Sequence, residues 1–224
     1  VHNLPPTTYH SRLMTTLLDT VVFDLGGVLI DWNPRYLYRK IFADADEMEH
    51  FLTHICTPDW NEEQDAGRPL QKATDELAAR HPEWESQIRA FYGRWEEMLG
   101  EAFDDSVEVL RQLRDSKKYH LYALTNWSAE TFPIALQRYD FLHWFDGVVM
   151  SGEEKTRKPF PEFYQILIDR YDLVPSQSLF IDDNLRNVKA AREMGFQTIH
   201  LESPRQILPL LHELFPGHPN LLPA

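Results

Sequence analysis

Cysteine is nearly absent. Cys56 is the single one in 224 residues, so no disulfide forms within the chain, and the expected compartment is the reducing cytoplasm. Long apolar runs are missing as well, which argues against a membrane-spanning helix and a membrane partner. Residues 1–18 (VHNLPPTTYHSRLMTTLL) lack the apolar stretch of a secretory signal and read as a polar tail. Cations are scarce: 22 Lys and Arg against 35 Asp and Glu leave a net charge of −13. A nucleic-acid backbone is held by concentrated Lys and Arg, so nucleic acid is excluded as a partner. A small phosphate ligand is not, because a few local donors suffice for it. There is no internal repeat and no low-complexity tract.

What is present is a large apolar fraction, 43%, arranged in short runs that end in polar or small residues. Thr20–Leu25, His120–Thr125, Gly147–Met150, Ser178–Ile181 and Gln197–Leu201 read as buried strands. Helical patterns separate the later ones: Ser106–Lys117 behind the capping candidates Asp104 and Asp105, Ser128–Arg138 behind Asn126, Pro161–Tyr171, and Leu185–Met194 ending at Gly195. Strands alternating with helices predict an α/β fold with a parallel sheet covered on both faces. Pro34 to Gly100 breaks this rhythm. It is acidic, holds three of the six tryptophans and reads as helices without a strand. The expected organisation is a tail (1–18), an α/β core (19–33 and 101–224) and an inserted helical cap (34–100).

In open α/β sheets ligands bind beyond the carboxyl ends of the strands. The first strand ends in Asp24, followed by Gly26 and Gly27, which lets a ligand approach the backbone closely. The second ends in Thr125 and Asn126, a hydroxyl, an amide and the free N–H groups of the next helix, which suit phosphate oxygens. The third is followed by Arg157-Lys158-Pro159, a cation on a constrained loop. The fourth ends in Asp182-Asp183-Asn184, where two adjacent carboxylates without an obvious partner would repel until a divalent cation joined them. Each piece alone reads most simply as a turn or cap residue. Together they supply a nucleophile, an oxygen-binding pair, a cation and a metal-type acidic pair at one edge of one sheet.

These residues resemble the haloacid dehalogenase superfamily, whose four motifs occur in order: FDLGGVL from Phe23, LTN from Leu124, RKP from Arg157 and FIDDN from Phe180. The resemblance runs from Thr20 to Leu201. Within the superfamily the motifs look most like the bacterial α-D-glucose-1-phosphate phosphatase type. The resemblance implies a Rossmannoid three-layer core with strand order 5-4-1-2-3 and a helical cap that closes over the site. It implies that Asp24 attacks phosphorus, with Lys158 neutralising charge. Phosphoryl oxygens would be held by Thr125 and the Asn126 backbone, beside Gly26 and Gly27. Mg²⁺ would be bound by Asp24, the Gly26 carbonyl, Asp183 and, directly or through water, Asp182. The implied activity is Mg²⁺-dependent hydrolysis of a small phosphorylated metabolite of the sugar-phosphate type, by a monomer or homodimer. The alternatives are a 2-haloacid dehalogenase and a weakly active binding protein. One departure stands out: most phosphatases of the superfamily carry a second Asp, the general acid and base, where this chain has Gly26. The chain then either borrows an acid from the cap or favours substrates that need less help, such as an anomeric phosphate.

Other residues read as structural. His50 and His54 have helical spacing but no further ligands nearby in sequence. Asp44, Asp46, Glu47 and Glu49 suit a solvated helix start. Trp60, Asn61, Asp65 and Arg68, around Gly67, either face the substrate or, the simpler expectation, lie in the cap core or on its surface, and Cys56 is expected to be structural.

Overall fold

The computed structural model describes residues 18–209. Residues 1–17, nearly all of the expected tail, lie outside the described residues. Among the described residues seven strands occur in chain order: β1 (Thr20–Phe23), β2 (Ile30–Trp32), β3 (Leu99–Ala102), β4 (His120–Thr125), β5 (Gly147–Met150), β6 (Ser178–Asp182) and β7 (Gln197–His200). Five form one parallel sheet in the order β5-β4-β1-β6-β7. Counted among themselves from the β7 edge, these five run 5-4-1-2-3, the expected order.

Every residue of β1 is buried, as befits a central strand covered on both faces. Alternation decides which core each side chain enters. Val21, Phe23, Leu121, Ala123, Leu179 and Ile181 join one core with Val109, Leu110 and Leu113 of helix α6 (Asp104–Ser116). Val22, Tyr122, Leu124 and Phe180 join the other with Phe163, Tyr164 and Leu167 of α9 (Pro161–Tyr171). The result is three layers.

Between β2 and β3 the described chain is helical: α1 (Arg35–Tyr38), α2 (Ala45–His54), α3 (Pro58–Asp65), α4 (Leu70–Arg80) and α5 (Glu85–Gly93). These helices pack through Tyr38, Phe42, Phe51, Trp84 and Phe91. Asp44 caps α2, accepting from the Asp46 and Glu47 amides. The antiparallel pair β2–β3 ties the two ends of this region together. Sequence reading missed the pair, because three or four residues are too few for alternation to show.

Two helix starts differ from expectation. Helix α6 begins at Asp104 behind Phe103, without a side-chain cap. Helix α7 begins at Phe132, not Ser128 (Phe132–Arg138), and Ser128–Thr131 is a turn. Gly195 takes φ +94 after α10 (Leu185–Glu193), as its place past a helix end requires.

Candidate active site

Parallel register aligns Phe23 with Ala123 and Ile181. One step further along, the same three strands deliver Asp24, the Leu124-Thr125 pair and Asp182 side by side. The Asp24 amide continues the ladder to the Ile181 carbonyl at 2.9 Å.

Asp24 is buried, with 8% exposure. One carboxylate oxygen accepts from the Leu25 amide at 2.7 Å, and the other lies 2.8 Å from Lys158 Nζ. The same ammonium donates to Asp182 Oδ2 at 2.7 Å. Shared between two carboxylates, Lys158 does not offset the burial of Asp24. Burial first, and then the Asp182 and Asp183 charges, push the Asp24 pKa up to about 8. For Lys158, burial works against the charge, but Asp182 and Asp24 outweigh it and hold the ammonium above its ordinary value.

The expectation that both acids of the Asp182-Asp183 pair lack partners is corrected. Asp182 is fully buried and accepts from Lys158, from the Asn184 amide at 2.8 Å and from the Asn187 side chain at 3.0 and 3.1 Å. It anchors Lys158. Asp183 is exposed as a residue, but its carboxylate packs against Gly27. That partial desolvation, then Asp182, raises its pKa. A side chain at Gly27 would begin 2.2 Å from the Asp183 carboxylate, and the position has φ +75, so only glycine fits there. At Gly26 an added Cβ would meet nothing within 4 Å.

Asn126 also has another role than the expected helix cap. Its side-chain amide donates to the Lys158 carbonyl at 3.0 Å and accepts from the Lys158 amide at 2.9 Å, fixing the Lys158 backbone. The helix N–H groups expected beside Thr125 are elsewhere, because α7 starts at Phe132. The Thr125 hydroxyl is buried and has no hydrogen-bond partner among the described residues, as a group reserved for a ligand oxygen would be. Arg157 turns to α3 and pairs with Glu62 at 3.1 Å.

A cavity of about 260 Å³ opens over Asp24 and Asp183. It is lined by Gly26, Gly27 and Asn126 from the sheet edge, and by Trp32, Trp95 and Trp127. Asn61 and Asp65, read from sequence as cap core or cap surface, line it too. Trp60 and Arg68 do not: Trp60 is buried within the cap, and Arg68 pairs with Glu63 and Glu76. His50 and His54 stack on α2. Cys56 is buried, which pushes its thiol pKa up and leaves it inert. The tryptophans escaped sequence reading because they lie on β2, before β3 and after β4, with no shared local pattern.

The haloacid dehalogenase-like hydrolase family matches residues 18–195, most of the chain. The protein is a haloacid dehalogenase-like hydrolase. It is 27% identical to a sesquiterpene phosphatase of Aspergillus oryzae over 84% of this chain and 92% of the relative. It is 24% identical to the D-ribitol-5-phosphate phosphatase of Bacteroides thetaiotaomicron over 84% and 93%. A family enzyme from the same bacterium, solved with magnesium and inorganic phosphate, superposes with TM-score 0.62 at 25% identity, covering 81% of this chain and 93% of that one.

In this hydrolase the carboxylates of Asp24, Asp182 and Asp183 each bring an oxygen within 4.8 Å of the others. One ammonium faces three carboxylates, so negative charge is in excess, and all-oxygen donors suit Mg²⁺. With Asp182 committed to Lys158, Asp24 and Asp183 are the acids that could hold such an ion. No helix of the described residues is long and apolar enough to cross a membrane.

Proposed function

We propose that this hydrolase is a Mg²⁺-dependent phosphomonoesterase acting on a small metabolite of the sugar- or polyol-phosphate type, in the cytoplasm, with Asp24 as covalent nucleophile. The observation that carries the reading is the pairing of Asp24 with Lys158 at 2.8 Å, with Asp24 and Asp183 lining one cavity. A dianionic phosphate needs such a place: a positioned anion to attack, a cation to offset it and a metal site beside both.

Asp24 attacks phosphorus and forms an aspartyl phosphate while the ester oxygen departs, and water then releases phosphate. Lys158 holds the nucleophile and balances charge, with Asp182 and Asn126 keeping it in place. The Thr125 hydroxyl donates to a phosphoryl oxygen. Mg²⁺, held by Asp24, Asp183 and the Gly26 carbonyl, would neutralise charge on the transferring group. Residues 34–100 act as the cap. Trp32, Trp95 and Trp127 offer flat apolar faces to a sugar ring. The relatives named as phosphatases, one of them of ribitol 5-phosphate, support the same class.

The test is a panel of sugar and polyol phosphates together with 2-chloropropionate, with Mg²⁺ or with excess chelator. Turnover of phosphates should need Mg²⁺ and vanish in Asp24→Asn, since an amide forms no acyl phosphate. Chloride release that persists in chelator would make the protein a dehalogenase instead.

A further inference from the structure

Gly26 has no side chain, so the sheet edge offers no acid at the position where one is expected. Lys158 is committed to two carboxylates, and hydroxyls are poor acids. The cavity has one more carboxyl, and it comes from the cap. We propose that Asp65, at the end of α3, is the general acid and base of this site; the proposal rests on the phosphatase reading above.

Three observations carry it. Asp65 lines the same cavity as Asp24, Gly26 and Asp183. Its side chain is oriented by a relay, in which the Tyr92 hydroxyl donates to Asn61 Oδ1 at 2.9 Å and Asn61 Nδ2 donates to Asp65 Oδ2 at 2.8 Å. Its backbone is pinned to the core, because the Ser151 hydroxyl donates to the Asp65 carbonyl at 2.5 Å and also accepts from the Trp127 amide at 2.9 Å. The carboxyl itself also accepts from the Ser128 backbone amide, in the turn after β4. Its protonation suits the role as well. Burial, then the Glu62 charge, push its pKa up to about 8, against the Ser128 amide, Arg157 and Asn61. Near neutral pH it holds a proton to give, and the conjugate base can take one back.

In the first step the new bond joins an Asp24 oxygen to phosphorus. The bond between phosphorus and the ester oxygen breaks, and that oxygen keeps the electron pair and takes the Asp65 proton. In the second, water attacks the phosphorus of the aspartyl phosphate and gives a proton to the Asp65 carboxylate. Phosphate leaves, and Asp24 is again a carboxylate. Borrowing an acid from the cap is thus the route taken, and substrates with poor leaving groups are within reach.

The experiment compares glucose 6-phosphate with p-nitrophenyl phosphate, whose leaving group needs no proton. Asp65→Asn should lose about 10²–10⁴-fold in turnover of glucose 6-phosphate. With p-nitrophenyl phosphate it should release a stoichiometric burst of p-nitrophenol and then turn over slowly, with phosphorylated Asp24 seen by intact mass after acid quench. Asn61→Ala leaves the carboxyl in place but unties it. It guards against a folding defect in Asp65→Asn and should repeat the pattern at smaller amplitude. Equal losses on both substrates without a burst, in both variants, would overturn the assignment and leave Asp65 a binding residue. Wild-type protein inert toward both phosphates, or an Asp24→Asn protein as active as wild type, would instead remove the phosphatase reading and this proposal with it.

Discussion

Lys158 Nζ and Asp182 Oδ2 are 2.7 Å apart, and neither side chain is reached by solvent. This pair separates the roles of two neighbouring acids that look equivalent in sequence. Removing Asp182 leaves the buried ammonium with Asp24 as its one carboxylate partner and strands the Asn184 amide and the Asn187 side chain. Asp182→Ala should therefore cost about 3–5 kcal/mol of unfolding free energy. Asp183→Ala removes an exposed acid that repels its neighbours, so the metal-free protein should stay within about 1 kcal/mol of wild type or gain stability. It should lose the rise in melting temperature that Mg²⁺ gives the wild type. Urea unfolding and thermal melts of both variants, with and without Mg²⁺, check this. A normal Mg²⁺ response in Asp183→Ala would exclude it as a ligand.

Asp24 and Asp65 set the pH dependence of the metal-free fold. Both pKa values are pushed up to about 8, against about 3.9 in the unfolded chain. Between those values the native state binds more protons than the unfolded one, so stability falls as pH rises from about 4 to about 8. Asp183, also raised, acts in the same direction. A divalent cation needs the ionised acids and reverses the trend. Melting temperature in chelator should drop across this window, and the increment from Mg²⁺ should grow. A flat profile in chelator would contradict the burial argument.

Glu62 of α3 receives Arg157 at 3.1 Å and Arg186 at 2.7 Å, so one cap carboxylate is held by two core cations. The three side chains are partly exposed, and each pair contributes at most about 1 kcal/mol. Glu62→Gln should barely change the melting temperature but loosen the cap, raising KM severalfold. The wild-type KM should rise with added KCl, and that of the variant should respond less. A wild-type KM indifferent to salt would mean that this clamp does not govern closure.

Gly26→Asp tests the missing acid from the other side. The new Cβ meets nothing within 4 Å, so the substitution begins without a clash at the backbone. In the Asp65→Asn background it should restore glucose 6-phosphate turnover by about 10–100-fold, within the range of one positioned acid. A folded double variant no faster than Asp65→Asn would show that position 26 cannot reach the leaving oxygen.

Sequence by itself determined the core. Buried runs such as Thr20–Phe23 and Leu121–Thr125 mark strands covered on both faces, and polar residues accumulate where such a strand leaves the sheet. Asp24, Thr125 and Asp183 were legible for that reason, since each stands at or just beyond a strand end; Lys158 lies further along the loop after β5 and was legible from the Arg157-Lys158-Pro159 motif instead. Tertiary structure decided the partnerships. Asp182 reads like Asp183 until Lys158 and Asn187 are seen to fill its oxygens. Asn126 reads as a helix cap until its amide is seen to hold the Lys158 backbone, 32 residues along the chain. Asp65 lies beside Gly67 in a helix whose local pattern fits a cap-core or cap-surface acid better than one facing the substrate. Its place in the cavity that Asp24 also lines depends on where the Ser151 tie and the Glu62 clamp set the cap. Periodicity records which face of an element is buried, because burial acts on each side chain locally. It carries no information about which distant group completes a hydrogen bond, and in this hydrolase those distant groups divide the work among the acids.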